Sequence, residues 1–594
     1  MKMFLRYVKN IAWLCRPFWQ YGKIYILLSV GVLGLYSAVD DAIYVRFPEI
    51  MIDLLSAGES FSSIGAAAAV ICGIFLLNRI VHHISRAYFT RKQVEIGLRV
   101  NRDIYQKAMG LDYKYIDSPR YYDNYAWAMR EYAEQVKQGR EVIVSFSQCV
   151  LSLAALSAIV APLGPWILLL EAIQTALCAM INRRVNENGI KEKDAVVSLN
   201  RRLDYFHRLF YMKDYAADMK STPLSRSVFQ EYSKIGKRKV SVVGFFAKKT
   251  ELLYSVQELI GSLTELIIIL YLVQSIVSGR IPEVGMYMTL LLAYYRLDCK
   301  IYTLSGLMKE AGSLSMNTEK IRAFFELQSE IETERTHVGA APSGGNFSVG
   351  LRNAGFSYEN SAFFLSGLNL FIHPGEKVAI VGENGAGKST FVKLLLRLYD
   401  VEEGEIRING TPIREYDIHA LRQRIGVAFQ DTNIYAMSLE KNISLYGEVP
   451  EAVLRRAAEA IGLDAILEKN HTGYHAELTR EFHEDGIILS GGEAQKVALA
   501  RVMAGDFGLL LLDEPSSALD PIAEYRMTQA ILSTANKATT IIVAHRLSAV
   551  RDADRIVVLD QGRIRECGNH DELMALHGKY YEMFTKQAEN YVKG

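Results

Sequence analysis

The sequence predicts two joined folds: an N-terminal α-helical transmembrane domain of six spanning helices, followed by an α/β P-loop nucleotide-binding domain. Three observations predict this architecture. Long apolar runs are confined to the first half, the strand-like run KVAIVG leads directly into the glycine loop GENGAGKST at 382–390, and the second half has the mixed, glycine-punctuated texture of a soluble α/β domain. The 594 residues are 50% hydrophobic, and the formal charge of +1 averages two unlike halves. Lysine and arginine balance the acids and form no basic tail, which argues against a nucleic-acid partner.

The membrane half comes first. A spanning helix needs about 20 mostly apolar residues, and stretches of that kind lie at 24–45, 64–84, 142–160, 165–181, 252–277 and 284–302. The links after the first, third and fifth stretches are short, whereas those after the second and fourth are long and charged. Lysine and arginine concentrate in cytoplasmic loops. The link 51–63 and the link APLGP have neither, and SGRIPE has only Arg280, while the N-terminus, 86–140 and 183–249 are rich in both. The expectation is a multi-pass protein of a cell membrane, with both termini and the nucleotide domain cytoplasmic.

The long inner segments are poor in proline and continue the spanning helices as rods. Each has a polar break, at SPRYYDN (118–124) and at KDYAADMK (213–220), and these two tips are natural contact points for another domain. The start, MKMFLRYVKNIAWLCRPFW, breaks its apolar run with Arg6, Lys9 and Arg16, which fits an amphipathic helix on the inner membrane surface better than a cleavable signal. About 20 residues ahead of the first span leave no room for a leader-trimming peptidase domain, a size mismatch judged against ordinary domain lengths. The six cysteines are scattered with no CxxC, so neither zinc nor a disulfide framework is expected. The domains expected are 1–325 in the membrane, a polar linker at 326–347, and the nucleotide-binding domain at 348–594.

In the second half, Gly382, Glu383, Asn384, Gly385, Ala386, Gly387, Lys388, Ser389 and Thr390 form a GxxxxGK[ST] loop between a strand and a helix. Its backbone N–H groups cradle phosphates, Lys388 reaches the β and γ phosphates of ATP, and Ser389 holds Mg2+. The run LLLLDEP ends a buried strand in two acids, Asp513 for the magnesium shell and Glu514 to orient or deprotonate the attacking water. Acids at a strand end are usually only solvated, so this pair gains its meaning from the phosphate loop. Gln430, closing IGVAFQ, suits a ligand to magnesium and water; His545, closing TTIIVAHR, suits the γ phosphate; Tyr358 suits stacking on adenine. A second candidate anion site is LSGGE, where Ser490, Gly491, Gly492 and Glu493 open a helix.

Taken in order, these residues resemble the ATP-binding cassette family. Tyr358 matches the adenine-stacking tyrosine, 382–389 the Walker A loop, Gln430 the Q-loop, LSGGE the signature, Asp513 and Glu514 Walker B, Ser517 and Asp520 in SALD the D-loop, and His545 the switch histidine. Six spans before one cassette resemble a half-transporter of the type IV exporter architecture. The resemblance implies an ATPase coupled to transport that works as a dimer with a second, identical or related half-transporter chain. In such a dimer the signature of one chain caps the ATP held by the Walker motifs of the other. The family's usual glutamine after the two glycines is Glu493 here. Glu484 in FHEDG stands where exporters carry a coupling glutamate, and the tips 118–124 and 213–220 resemble the coupling helices.

The membrane half says least about cargo, and its intramembrane charges are the clue. Glu265 and Arg296 both fall roughly 18 Å from the outer ends of their helices, where they are placed to pair with each other. Asp40, Asp41 and Glu171 lie nearer the outside with only Arg46 close in sequence. A net acidic substrate cavity follows, favouring a cationic small molecule or peptide. ATP-driven export by alternating access is the leading reading. Import of a metal-chelate cargo and an ATP-gated regulator that does not pump are the alternatives, and the intact Glu514 and His545 speak against the last.

Overall fold

The computed structural model describes residues 2–161, 165–278, 284–331, 342, 344–358, 364–463, 467, 473–515, 527–529, 531 and 538–592. By contacts the chain divides into two compact units, Met1–Lys107 with Asn124–Glu326, and Ala108–Asp123 with Leu327–Gly594. The second unit therefore takes in a short piece cut from the middle of the helical half, which the expected boundaries assigned to the membrane domain. Half of the expected linker, residues 332–341 and 343, falls outside the described residues.

The first unit is helical. An amphipathic α1 (Lys2–Leu14) and a short α2 (Arg16–Tyr21) precede the long helices α3 (Lys23–Ser56) and α4 (Phe61–Met109). α5 (Lys114–Asp117) belongs to the second unit, and after it the helical unit continues with α6 (Pro119–Val160), α7 (Pro165–Tyr211), α8 (Lys213–Ser221), α9 (Leu224–Val277) and α10 (Val284–Glu326). At 1.5 Å per residue, α9 is about 80 Å long, far more than the ~30 Å apolar thickness of a bilayer. Pro48 lies inside α3, about two turns before its C-terminal end, where it removes one backbone N–H from the helix ladder.

Among the described residues, five helices are long and apolar enough to cross a membrane: α3, α4, α6, α7 and α9. The sixth expected span is a continuous helix too, as the first part of α10, but Arg296, Asp298 and Lys300 crowd its apolar stretch. Where the membrane helices meet, Val45, Leu156, Ile167, Ile268, Leu272 and Leu290 are essentially inaccessible. Elsewhere they present leucines outward, such as Leu76, Leu77, Leu266 and Leu270, the inverse of a water-soluble bundle and a surface suited to lipid.

The second unit carries two sheets. The first is antiparallel, in the order β2 (Phe364–Ile372), β1 (Val349–Ser357), β4 (Glu403–Ile408), β5 (Thr411–Pro412). The second has the order β10-β9-β3-β8-β7-β6, with β3 (Lys377–Val381), β6 (Ile425–Ala428), β7 (Leu509–Asp513), β8 (Thr539–Val543), β9 (Arg555–Asp560) and β10 (Arg563–Gly568). Within it β6, β7, β8, β3 and β9 run parallel and β10 is antiparallel. Every residue of β7 and β8 is buried, as expected for parallel strands covered on both faces. Parallel strands align their carboxyl ends along one edge, where ligands bind in such sheets.

Candidate active site

Four neighbouring strands deliver the site. The phosphate loop follows β3, Gln430 follows β6, Asp513 and Glu514 close β7, and His545 lies just past β8. The loop has its shape for a local reason. A Cβ on Gly382 would lie 2.2 Å from the carbonyl oxygen of Leu559, and Gly387 caps the helix Lys388–Leu395 at φ +104°, a conformation that side-chain-bearing residues rarely adopt. Asn384, Gly385, Lys388 and Thr390 from this loop share with Gln430, Glu514 and His545 a cavity of about 600 Å³, a volume ordinary for a small-molecule site.

Glu514 is the centre of the constellation. Its Oε1 lies 2.6 Å from His545 Nε2, and its Oε2 accepts from Gln430 Nε2 at 2.8 Å. The side chain is 8% exposed, and its backbone sits at φ +49°. A left-handed glutamate costs on the order of 1 kcal/mol or more, and Pro515 already disfavours the right-handed helical alternative. The strain aims the carboxylate at the phosphate loop. His545 is fixed in turn by Gln587, which donates to the His545 carbonyl at 2.8 Å and accepts from Leu547 N at 3.0 Å. Gln587 sits in the C-terminal helix Lys579–Val592, and nothing in the local sequence marks it.

Lys388 donates to the carbonyls of Gly382 and Glu383 at 3.0 and 3.1 Å, curling across its own loop. Burial holds its ammonium below the usual lysine range, and the nearby Glu514 and Asp513 pull it partly back. Burial raises the Asp513 carboxyl, against a hydrogen bond from the Ser389 hydroxyl. Asp513 Oδ1 is buried and has no hydrogen-bond partner. Glu383 faces away from this chemistry, paired at 2.7 Å with Lys579.

Tyr358 meets the phosphate-loop helix through a 3.2 Å hydrogen bond to Thr390 Oγ1. Its ring packs edge-on against Tyr399, centroids 5.4 Å apart. Tyr399 and Lys393 both reach Asp117 at the end of α5, at 2.6 and 3.1 Å. The Lys393 ammonium also lies 5.1, 5.8 and 5.9 Å from the rings of Tyr113, Tyr358 and Tyr399. Asp112 anchors the other end of α5 by accepting from the backbone N–H groups of Glu330 and Ile331 at 2.9 and 3.1 Å. Asp117, immediately before the first polar tip, is thus tied to the aromatic cluster that includes Tyr358, the tyrosine proposed to stack on adenine. Asp117→Asn should leave the fold intact but weaken this tie by about 1 kcal/mol. Amide exchange across Lys114–Asp117 should then quicken about fivefold, and unchanged protection there would show that Asp117 contributes nothing.

The signature residues do not line the nucleotide cavity of their own chain. Ser490 caps the helix Gly491–Ala504 in a reciprocal box with Glu493. Glu493 Oε2 accepts from both the backbone N–H and the hydroxyl of Ser490 at 2.8 Å. Ser517 and Asp520 lie outside the described residues. Glu484 is exposed on its loop.

The cargo residues fall apart into two groups. Asp41 is buried and paired with Arg296 at 3.3 Å and Lys300 at 2.8 Å, and Asp40 is near Arg79 at 3.9 Å. The expected Glu265–Arg296 pair is absent because Arg296 faces α3, where it also covers the Tyr44 ring at 3.9 Å. Glu265 instead accepts from the Tyr295 hydroxyl at 2.5 Å, and Glu171 is 3% exposed.

A phosphate-loop sheet with a carboxylate held against a glutamine and a histidine defines an ATP-hydrolysing domain of the cassette class. The family described as ABC transporter matches residues 365–517. The subtilin transport ATP-binding protein SpaT of Bacillus subtilis is 28% identical over 538 residues, covering 88% of this chain and 84% of that one. An ATP-dependent lipid A-core flippase of Alkalilimnicola ehrlichii is 41% identical over 232 residues, covering 39% of this chain and 38% of its own length. A solved structure of a bacterial Atm1-family ABC exporter with ATP bound superposes with a TM-score of 0.74 at 24% identity, covering 95% of this chain and 98% of that one. Residues 365–517 are thus an ABC ATPase domain by the family match, and the chain as a whole has the fold of an exporter-type half-transporter, a helical membrane domain followed by that ATPase domain. It is a multi-pass membrane protein that binds ATP through this domain, and half-transporters of this type work as dimers.

Proposed function

We propose that this chain is one half of a homodimeric or heterodimeric pump that exports a small molecule or peptide across a cell membrane by alternating access. Both termini and the ATPase face the cytoplasm in this reading. One observation carries it: Glu514 is held between Gln430 and His545 in the cavity shared with Lys388, an arrangement suited to turnover rather than to static gating. ATP closes a pair of cassettes, hydrolysis releases them, and the long helices convert that difference in affinity into a change of access.

The residues present fit Mg2+. Ser389 and Asp513 are hydrogen-bonded to each other, Asp513 Oδ1 is an orphaned buried oxygen, and oxygen donors are what this hard cation takes. Ser389, Asp513 and Gln430 would hold it. When bound, it supplies charge neutralisation on the transferring phosphate. Glu514 takes the proton of the attacking water, while Gln430 and His545 keep its carboxylate pointed at that water.

Ser490, Gly491 and Gly492 serve the partner's ATP. In this reading Glu493 is a brake, since its carboxylate occupies the anion-seeking end of its own helix. Glu493→Gln should lower the ATP concentration for half-maximal turnover about fivefold, the effect of removing one charge a few ångströms from a phosphate in a partly wet interface. An unchanged or raised half-maximal concentration would exclude the brake.

The experiment for the pump itself uses sealed vesicles of both orientations. Export predicts ATP-dependent accumulation in inside-out vesicles, absent with Glu514→Gln. Accumulation confined to right-side-out vesicles loaded with ATP would overturn the direction.

A further inference from the structure

A cavity of about 460 Å³ lies within the membrane unit between α7, α9 and α10. Four carboxylates line it, Glu251, Glu258 and Glu265 from α9 and Asp298 from α10, and among the described lining residues there is no lysine, arginine or histidine. The acids of α9 recur at helical spacing together with Tyr254, so that one face of the helix carries a stripe of negative charge about 20 Å long. On α10, Asp298 stands opposite Arg296 and Lys300 because residues two apart point to opposite sides of a helix. Those two cations are engaged by Asp41 on the other side. The acids of the cavity therefore have no positive partner within it.

Further observations point to a missing ligand. Gln174 lines the cavity and is 5% exposed; its amide N–H donates to Asp298 at 2.8 Å, while its Oε1 is buried with no partner. Burying such groups unpaired is costly. Tyr295 and Tyr302 add aromatic surface, which attracts cations through the ring face.

Resting on the export reading above, we propose that this cavity is the cargo seat and that it selects an organic cation, an apolar body carrying a positive group, which it takes up between Glu258, Glu265 and Asp298. Its volume fits a drug-sized molecule or a single cationic side chain of a larger cargo. The dimension of charge distinguishes it from a general lipophilic pocket.

The test is binding to the full chain in lipid nanodiscs without ATP, measured by calorimetry. Tetraphenylphosphonium and tetraphenylborate have nearly the same shape and opposite charge. The cation should bind at least about tenfold more tightly than the anion, and Glu258→Gln with Asp298→Asn should each cost about tenfold in cation affinity. Asp298→Glu should restore most of that loss, and the far-ultraviolet circular dichroism and thermal unfolding midpoint of every variant should match those of the unaltered protein, which certifies folding. Trilysine binding that is lost in the same variants would identify a cationic side chain as the natural group, and trilysine indifference would identify a small cation. Equal affinity for the two probes on the unaltered protein, or cation binding untouched by both neutralising substitutions, would overturn the proposal. Because no ATP is present, that failure is separable from a failure of export in vesicles.

Discussion

Glu514→Gln is expected to reduce ATP turnover by about 10²- to 10⁴-fold while leaving ATP binding intact. The change keeps the shape of the side chain and an acceptor for Gln430, but it removes the group that takes a proton, and general-base catalysis is worth that factor. It also replaces the 2.6 Å contact to His545 with a neutral one, so the imidazole loses its charged partner while Gln587 still holds the His545 backbone. Radiolabelled ATP retention and phosphate release, recorded on the same nanodisc sample, separate binding from chemistry. Loss of both would mean that Glu514 supports the fold of the loop, and retention of turnover would remove it from the chemistry altogether.

Lys388→Ala is expected to weaken ATP binding about a hundredfold. In the structure its ammonium rests on the carbonyls of Gly382 and Glu383, a placement that ATP phosphates would take over. Two charge-assisted hydrogen bonds are worth roughly 3 kcal/mol together, which converts to that factor. Fluorescent nucleotide titration reads it directly. A change below threefold would show that the loop's backbone N–H groups hold the phosphates unaided.

Most of the nucleotide site was legible in the sequence because its parts lie at ends of buried strands, and such strands announce themselves as runs like LLLLD and TTIIV. What the sequence lacked was anything nonlocal. Gln587 steadies His545 across 42 positions, and no spacing rule connects them. Glu265 and Arg296 sit at matching depths, yet they do not pair, since the direction each helix face points is set by packing. The same packing turned Asp298 toward Glu258 and Glu265, residues two and more turns apart on another helix. The polar break was expected at 118–124, but the contacts to Lys393 and Tyr399 fall just before it, on Asp117 and Tyr113. The sixth expected span, 284–302, is a helix but is not apolar enough to stand with the other five, and the charges that set it apart are those that divide its two faces.

The tie between α5 and the nucleotide unit has a bearing on how the chain is made. Asp117 waits for Tyr399, which is 282 positions later. At roughly 5 to 20 residues per second, that partner leaves the ribosome about 15 to 60 seconds after α5. During this interval the tip carries an unsatisfied carboxylate and exposed tyrosines, held between two helices that are already being inserted. Its docking therefore closes a long loop late in biogenesis. Substitutions that slow folding of the C-terminal half should accordingly surface as proteolytic clipping near Asp117, well before any loss of the membrane helices themselves.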